Sequence, residues 1–278
     1  MPAPDGLYER AAVSPGLRPF WHVDEMRTFF VGPLQYNRLH QHGAPVYLAG
    51  MYSKFGLRIH GGRWHWCRTA VIPAGVLHEL DLAGYPLAVF YVEPSVGGVD
   101  ALVPLSGDSW EVDGVLVGRS GEFSIMRELW EDSASARWAG QALDDLLAYS
   151  KLRAAKRMDP RVSAAADYLR IHSDKLTPVM KLARNAGLSA SQFQRMFTRE
   201  VGVPFRRYRA WNRMRVAISE IANGSNFTTA AHAAGFADQA HFTNDFRRTF
   251  GAPPSVSLLG LRNTAHHEEG ANLPVLAL

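Results

Sequence analysis

The apolar positions fall into two regimes. Up to about residue 115 they come as short runs, "APVYLAGMY", "FGLRIH", "RWHWCRTAVIP" and "PLAVFYVEP", rich in β-branched and aromatic residues and punctuated by Gly61-Gly62, Pro73, Gly84 and Gly97-Gly98. Short strands at this spacing predict a sandwich or small barrel rather than a parallel sheet. From Phe123 to Lys156 the period turns helical, with Leu129, Trp130, Trp138, Leu143, Leu146, Leu147 and Leu152 three or four apart. After Pro160 it stays helical almost throughout. Start signals mark three of these helices: Thr177 before Pro178, Ser189 three residues before Gln192, and Asp238. The final stretch "LRNTAHHEEGANLPVLAL" has no period and is expected to be irregular. The expected fold class is therefore α+β and multidomain, an N-terminal β-barrel or sandwich, a helical linker and a C-terminal all-α domain. Its expected boundaries are 1–118, 119–158, 159–260 and an irregular tail at 261–278.

The helical region contains a repeat. "LARNAGLSASQFQRMFTREVGVP", from Leu182 to Pro204, recurs in outline as "AAHAAGFADQAHFTNDFRRTFGAP", from Ala230 to Pro253. Gly187 matches Gly235, and Phe193, Phe197 and Gly202 match Phe242, Phe246 and Gly251, with one extra residue in the second turn. Each copy reads as a short Ala-rich helix, a glycine turn and a longer helix, the outline of a helix-turn-helix. At about 100° per residue, Phe193, Met196 and Phe197 anchor the first long helix inward. Ser191, Arg195 and Thr198 then point outward, flanked by Gln194 and Arg199. In the second unit Phe242 and Phe246 point inward, leaving Ala240, Asn244 and Arg247 opposite, with His241, Thr243 and Arg248 beside them and Gln239 near the amino end. Arg, Asn and Gln are the side chains that read guanine and adenine edges in the major groove, and small residues approach the thymine methyl.

Charge strengthens that picture. The net charge is only +4, yet residues 159–260 carry 14 Lys and Arg against 7 Asp and Glu, whereas residues 1–158 carry 15 against 17. A locally basic segment suits a polyanion such as duplex DNA.

With these motifs assembled, residues from about Asp159 to Leu258 resemble the double helix-turn-helix domain of AraC/XylS-type transcriptional regulators. The resemblance rests on "LARNAGLSASQFQRMFTREVGVPFRRY", on Arg213, Met214, Ala217 and Ile221, and on "GFADQAHFTNDFRRTFGAPPS". It covers a little over a third of the chain. Ala231-His232 and His241 depart from the usual pattern. The resemblance implies two recognition helices, held apart by a connecting helix through Met214 and Ile221, entering successive major grooves. It also implies a cupin-like front domain that senses a small molecule, and partners that include RNA polymerase and a second copy of the chain, with the Phe123–Lys156 helices as the dimerising element. An activator is the expected sense of regulation.

The front half offers weaker chemistry. "PAGVLHEL" at Pro73–Leu80 has a cupin-like proline, glycine and histidine spacing, and "HQH" supplies His40 and His42. No acidic ligand follows at a matching spacing, so no metal, cofactor or catalytic residue is assigned. Trp64 and Trp66 alternate with His65 and Cys67, which on a strand puts both tryptophans on one side. If that side faces the lumen, Trp64 and Trp66 would line a ligand pocket with Tyr47 and His78. The single cysteine, Cys67, excludes an internal disulfide framework. Neither a secretory signal nor a membrane span is evident, and a cytoplasmic location is expected. Two alternatives stay open: a cupin-type metalloenzyme fused to a DNA-binding module, and a ligand-independent DNA-binding protein.

Overall fold

The computed structural model describes residues 17–152, 158–172 and 177–261. The expectations for the irregular tail beyond Leu261 and for the extreme N-terminus lie outside the described residues.

The front half forms eleven strands: β1 Phe20–Val23, β2 Arg27–Pro33, β3 Tyr36–His40, β4 Val46–Gly50, β5 Phe55–Ile59, β6 Trp64–Cys67, β7 Thr69–Ile72, β8 His78–Asp81, β9 Pro86–Val92, β10 Ser106–Val112 and β11 Val115–Gly121. They assemble into a seven-stranded sheet, β1-β2-β9-β4-β7-β11-β10, and a four-stranded sheet, β3-β8-β5-β6. Neighbouring strands run antiparallel, as short connections favour. The sheets share one core: Val46, Leu48, Ala70 and Ile72 of the larger meet Leu57, Ile59 and Leu80 of the smaller.

The central strands of the larger sheet are buried on both faces. The outer side of the sheet, through Phe29, Tyr47, Val71 and Phe90, packs against α1 (Ser124–Glu131) and α2 (Ala139–Lys151). These helices, read from the sequence as a linker and dimerising element, thus complete the front domain's second core, although Tyr149 and Leu152 remain exposed. Strand β4 explains the arrangement. All five of its residues are buried, so alternate side chains serve opposite cores, and its sequence is an unbroken apolar run.

The rear half contains α3 Pro160–Ile171, α4 Val179–Asn185, α5 Ala190–Val201, α6 Phe205–Ala222, α7 Phe227–Ala233, α8 Gln239–Phe250 and the short α9 Pro254–Ser257. Ser189 and Gln192 form the expected capping box on α5. Asp238 caps α8 by accepting from the His241 amide at 2.7 Å. Thr177 does not act as a cap: α4 begins one residue later, with Pro178 at its N-cap, and Thr177 is buried. The two repeats become α4–α5 and α7–α8. Their turn residues Gly187 and Gly235 have φ of 68° and 75°, a left-handed backbone that side chains beyond glycine disfavour.

The two halves dock through a buried polar knot. Glu93, just after β9, accepts hydrogen bonds from Tyr208 Oη (2.6 Å) and Trp211 Nε1 (3.1 Å) and pairs with Arg215 at 2.9 Å. Glu93 is 1% exposed. Arg215 also donates to Thr28 Oγ1 (3.0 Å) and to the Asp24 carbonyl. All three partners of Glu93 lie on α6, so the connecting helix between the repeats is also the docking helix.

Candidate nucleic-acid interface and interdomain site

Helix α5 presents its polar face to solvent. Phe193 and Phe197 are fully buried, while Ser191, Gln194, Arg195 and Arg199 are exposed and Thr198 is half-buried. Thr198 returns its hydroxyl proton to the Gln194 carbonyl at 2.9 Å, and Arg199 pairs with Glu200 at 3.0 Å. Among the described residues Arg195 has no ion-pair partner, which leaves its five donors available at the centre of this face.

On α8, Phe242, Phe246 and Phe250 are buried, and Gln239, Ala240, Asn244, Arg247 and Arg248 are exposed. Thr243 is half-buried. Gln239 Oε1 accepts from Thr228 Oγ1 at 2.9 Å. His241 is more tied than its sequence position implies. Its ring stands edge-on to Phe236 at 5.2 Å, its Nδ1 accepts from the Ala237 amide, and its Nε2 lies 3.6 Å from Asp245. A ring held against its own turn is a structural element of α8 before it is a reader of bases. Arg213 of α6 braces the same turn, stacking over Phe236 at 4.9 Å and donating to the Gly235 carbonyl.

The far end of α8 enters the domain interface. Asn37 Nδ2 donates to the Phe250 carbonyl at 2.9 Å, and the Arg38 amide donates to the Gly251 carbonyl at 3.0 Å. Gly251 has φ of 72°, and a Cβ there would lie 2.4 Å from the Arg38 carbonyl oxygen. Gly251→Ala therefore combines a left-handed backbone cost of about 1–2 kcal/mol with a main-chain clash. Gly187→Ala carries the first cost alone, since nothing lies within 4 Å of its absent Cβ. Thermal unfolding of the two variants is expected to rank Gly251→Ala as clearly the less stable.

Between the domains lies a cavity of about 30 Å³, walled by Trp21, Phe30, Leu48, Tyr91, Phe246 and Phe250 with His40 and His42 at its polar edge. This is room for roughly one water.

The structure brings together histidines that the sequence presented as isolated. His40, His42 and His78 are all buried, with ring centroids 4.2–4.8 Å apart. Burial, followed by the other imidazoles, holds His40 and His42 well below the ordinary histidine pKa. Burial likewise lowers His78 to about 4. The cluster is neutral at neutral pH.

The expected lumen-facing aromatics are placed differently. Cys67 points into the core at 1% exposure, so Trp64 and Trp66 point outward, and Trp66 is 57% exposed. Strand β6 is an edge strand, and its outer face joins Trp64 to Arg58 (4.8 Å) and Tyr36 (6.4 Å). Tyr47 lies on the opposite side of β4, its hydroxyl donating toward the carbonyls of Leu105 and Glu122 at 3.0 and 2.9 Å. Of the four expected pocket residues only His78 reaches the interior between the sheets. Trp21, Tyr91, Glu93, Arg215 and Phe250 were not anticipated. Arg215, a charge on the mostly apolar inward face of its helix, was the available signal.

Comparison with known proteins agrees with this geometry. A family model described as "Helix-turn-helix domain" matches residues 182–258. The HTH-type transcriptional regulator RipA of Corynebacterium glutamicum is 33% identical over 100 residues, which is 36% of this chain and 30% of that protein. The chain thus spans under a third of that curated relative. Among solved structures, unsaturated fatty acid-bound wild-type ToxT from Vibrio cholerae strain SCE256 matches with a TM-score of 0.57 at 13% identity, covering 86% of this chain and 98% of that one. ToxT from Vibrio cholerae O395 gives 0.55 at 12% identity, covering 85% and 100%. The likeness to ToxT is one of fold, and it extends over both domains. Among the described residues no helix is long and apolar enough to cross a membrane.

Proposed function

We propose, from the premise that this chain carries the double helix-turn-helix domain of AraC/XylS-type regulators, that it is a sequence-specific DNA-binding regulator of transcription whose front domain answers to a small molecule. The observation that carries the reading is the pair of outward polar faces on α5 and α8, each backed by buried phenylalanines. Ser191, Gln194, Arg195, Thr198 and Arg199 are the readers on α5. On α8 they are Gln239, Ala240, Thr243, Asn244, Arg247 and Arg248, with His241 bracing the helix start. The expected partners are promoter DNA, RNA polymerase and a second copy of the chain, and activation is the expected sense.

Arg195→Ala is expected to weaken binding to a cognate duplex by about 1–3 kcal/mol and to relax preference at one base position. Footprinting and binding titrations at fixed salt test this, and undiminished, equally selective binding would show that α5 reads with another face.

The effector reading rests on the cavity beneath Phe246 and Phe250. Ordinary ligand sites occupy roughly 300–1,000 Å³, so an effector entering there must displace α8 from the sheets. ToxT, which shares this two-domain fold, has been solved with an unsaturated fatty acid. An apolar effector is the class that such walls favour. Displacement of α8 would then change the spacing of the two reading helices, and so the occupancy of a promoter. A ligand-independent protein would instead keep the same DNA affinity across a metabolite screen.

A further inference from the structure

We propose that His40, His42 and His78 form a binding site for a divalent transition-metal ion of the zinc class, and that its occupancy secures the contact between β3 and the end of α8. The three ligand atoms lie within 4.8 Å of one another. The His40 and His42 Nε2 atoms are 3.1 Å apart. Tetrahedral coordination with metal–nitrogen bonds near 2.0–2.1 Å places donor nitrogens about 3.4 Å from each other, so small movements bring this cluster onto one ion.

Hydrogen bonds already set the protonation that a metal requires on two of the three histidines. His42, whose Nε2 faces His40 Nε2 and whose buried Nδ1 has no partner, must shift its proton to Nδ1 when an ion binds. His40 Nδ1 donates to the Arg38 carbonyl at 2.7 Å, and His78 Nδ1 donates to the Val76 carbonyl at 2.9 Å. Each bond fixes the proton on Nδ1 and leaves the Nε2 lone pair facing the cluster, the usual outer-shell arrangement of a metal-binding histidine. His78 Nε2 is fully buried with no hydrogen-bond partner. A packed core without an ion leaves that lone pair unsatisfied, a cost that native interiors rarely carry. The donor set is three neutral imidazoles, which suits zinc, copper, nickel or iron and disfavours magnesium and calcium. The Tyr91 hydroxyl, 3.2 Å from His42 Nε2, stands beside the cluster as an oxygen donor.

The coupling to α8 runs through one residue, Arg38. The Arg38 carbonyl holds His40, and the Arg38 amide holds the Gly251 carbonyl at 3.0 Å. A Cβ on Gly251 would lie 2.7 Å from His40 Nδ1. Phe250 packs 6.1 Å from the His42 ring. Fixing His40 and His42 on an ion therefore fixes the surface on which the second reading helix ends. Only this coupling, and not the metal site itself, rests on the proposed DNA-binding role.

The test uses the full chain, freed of metal by a chelator and titrated with Co²⁺ and Zn²⁺. One ion per chain is expected, with a dissociation constant below about 1 µM and visible Co²⁺ bands of four-coordinate intensity. His78→Asn and His40→Gln should each weaken binding by at least about 100-fold. Both variants keep His266 and His267, so any uptake through the tail would persist in them and would count against the site. Absence of stoichiometric uptake by the unmodified chain overturns the proposal whether or not the variants fold. With the ion bound, amide exchange is expected to slow at Asn37–His40 and Arg247–Gly251, and unchanged exchange there overturns the coupling. Binding of the same samples to duplex DNA separates the two readings. Uptake without DNA binding in either state sinks the proposed function and leaves the site standing, whereas DNA binding without uptake does the reverse.

Discussion

Glu93→Ala is expected to lower the stability of the full chain by about 3–5 kcal/mol, the usual consequence of stripping one partner from a buried ion pair. The substitution leaves the Arg215 guanidinium, 7% exposed at its side chain, without its carboxylate. It also removes the acceptor of Tyr208 and Trp211. Because all three lie on α6 while Glu93 belongs to the front domain, the loss falls on docking rather than on either core. Calorimetry should therefore resolve the unfolding into separate transitions for the two halves. DNA affinity should change little, since the outward faces of α5 and α8 are untouched. Any response of DNA binding to an effector should weaken sharply, because displacement of α8 would no longer be transmitted through a docked α6. Glu93→Leu combined with Arg215→Met should recover only part of the stability, because an apolar pair replaces the ionic one while Tyr208 and Trp211 stay without an acceptor. A single transition at an unchanged midpoint in Glu93→Ala would show that the knot does not hold the halves together.

Helices α5 and α8 were legible in the sequence because their signal is local. Phe193 and Phe197, like Phe242 and Phe246, lie four apart and fix the inward direction of their helices. The capping box at Ser189 and the cap at Asp238 fix where those helices begin. The pocket was not legible, for two physical reasons. Strand β4 is buried on both faces, so its apolar run says nothing about which core Tyr47 serves. Strand β6 lies at an edge, where alternation shows that Trp64 and Trp66 share a side but not which side is wet. The histidine cluster needed pairing across the four-stranded sheet, where His40 registers opposite His78 across a bulge. No spacing along the chain records that register. The docking knot is equally non-local: Glu93 and Arg215 are joined only when the halves meet.

Phe246→Ala is expected to cost about 3–5 kcal/mol, the range for removing a buried aromatic ring. Phe246 is 1% exposed and stands in a continuous aromatic stack, 5.8 Å from Phe242 and 4.4 Å from Phe250. Phe250 in turn meets Trp21 at 6.0 Å and Trp211 at 6.2 Å, so the ring of Phe246 links the core of α8 to the domain interface. Its removal would enlarge the cavity that it already lines. Two results should follow beyond lower stability. Footprints should lose the half-site read by α8 while keeping the half-site read by α5, whose anchors Phe193 and Phe197 pack against Phe205 and Tyr208 instead. The variant should also bind small, largely apolar ligands that raise its melting temperature, because the enlarged cavity, walled mainly by aromatic and aliphatic side chains, gains contacts when filled. Uniform loss of both half-sites would mean that α5 and α8 do not act as separable heads, and full retention of both would mean that α8 is held in place by its caps and by Arg213 rather than by its aromatic spine.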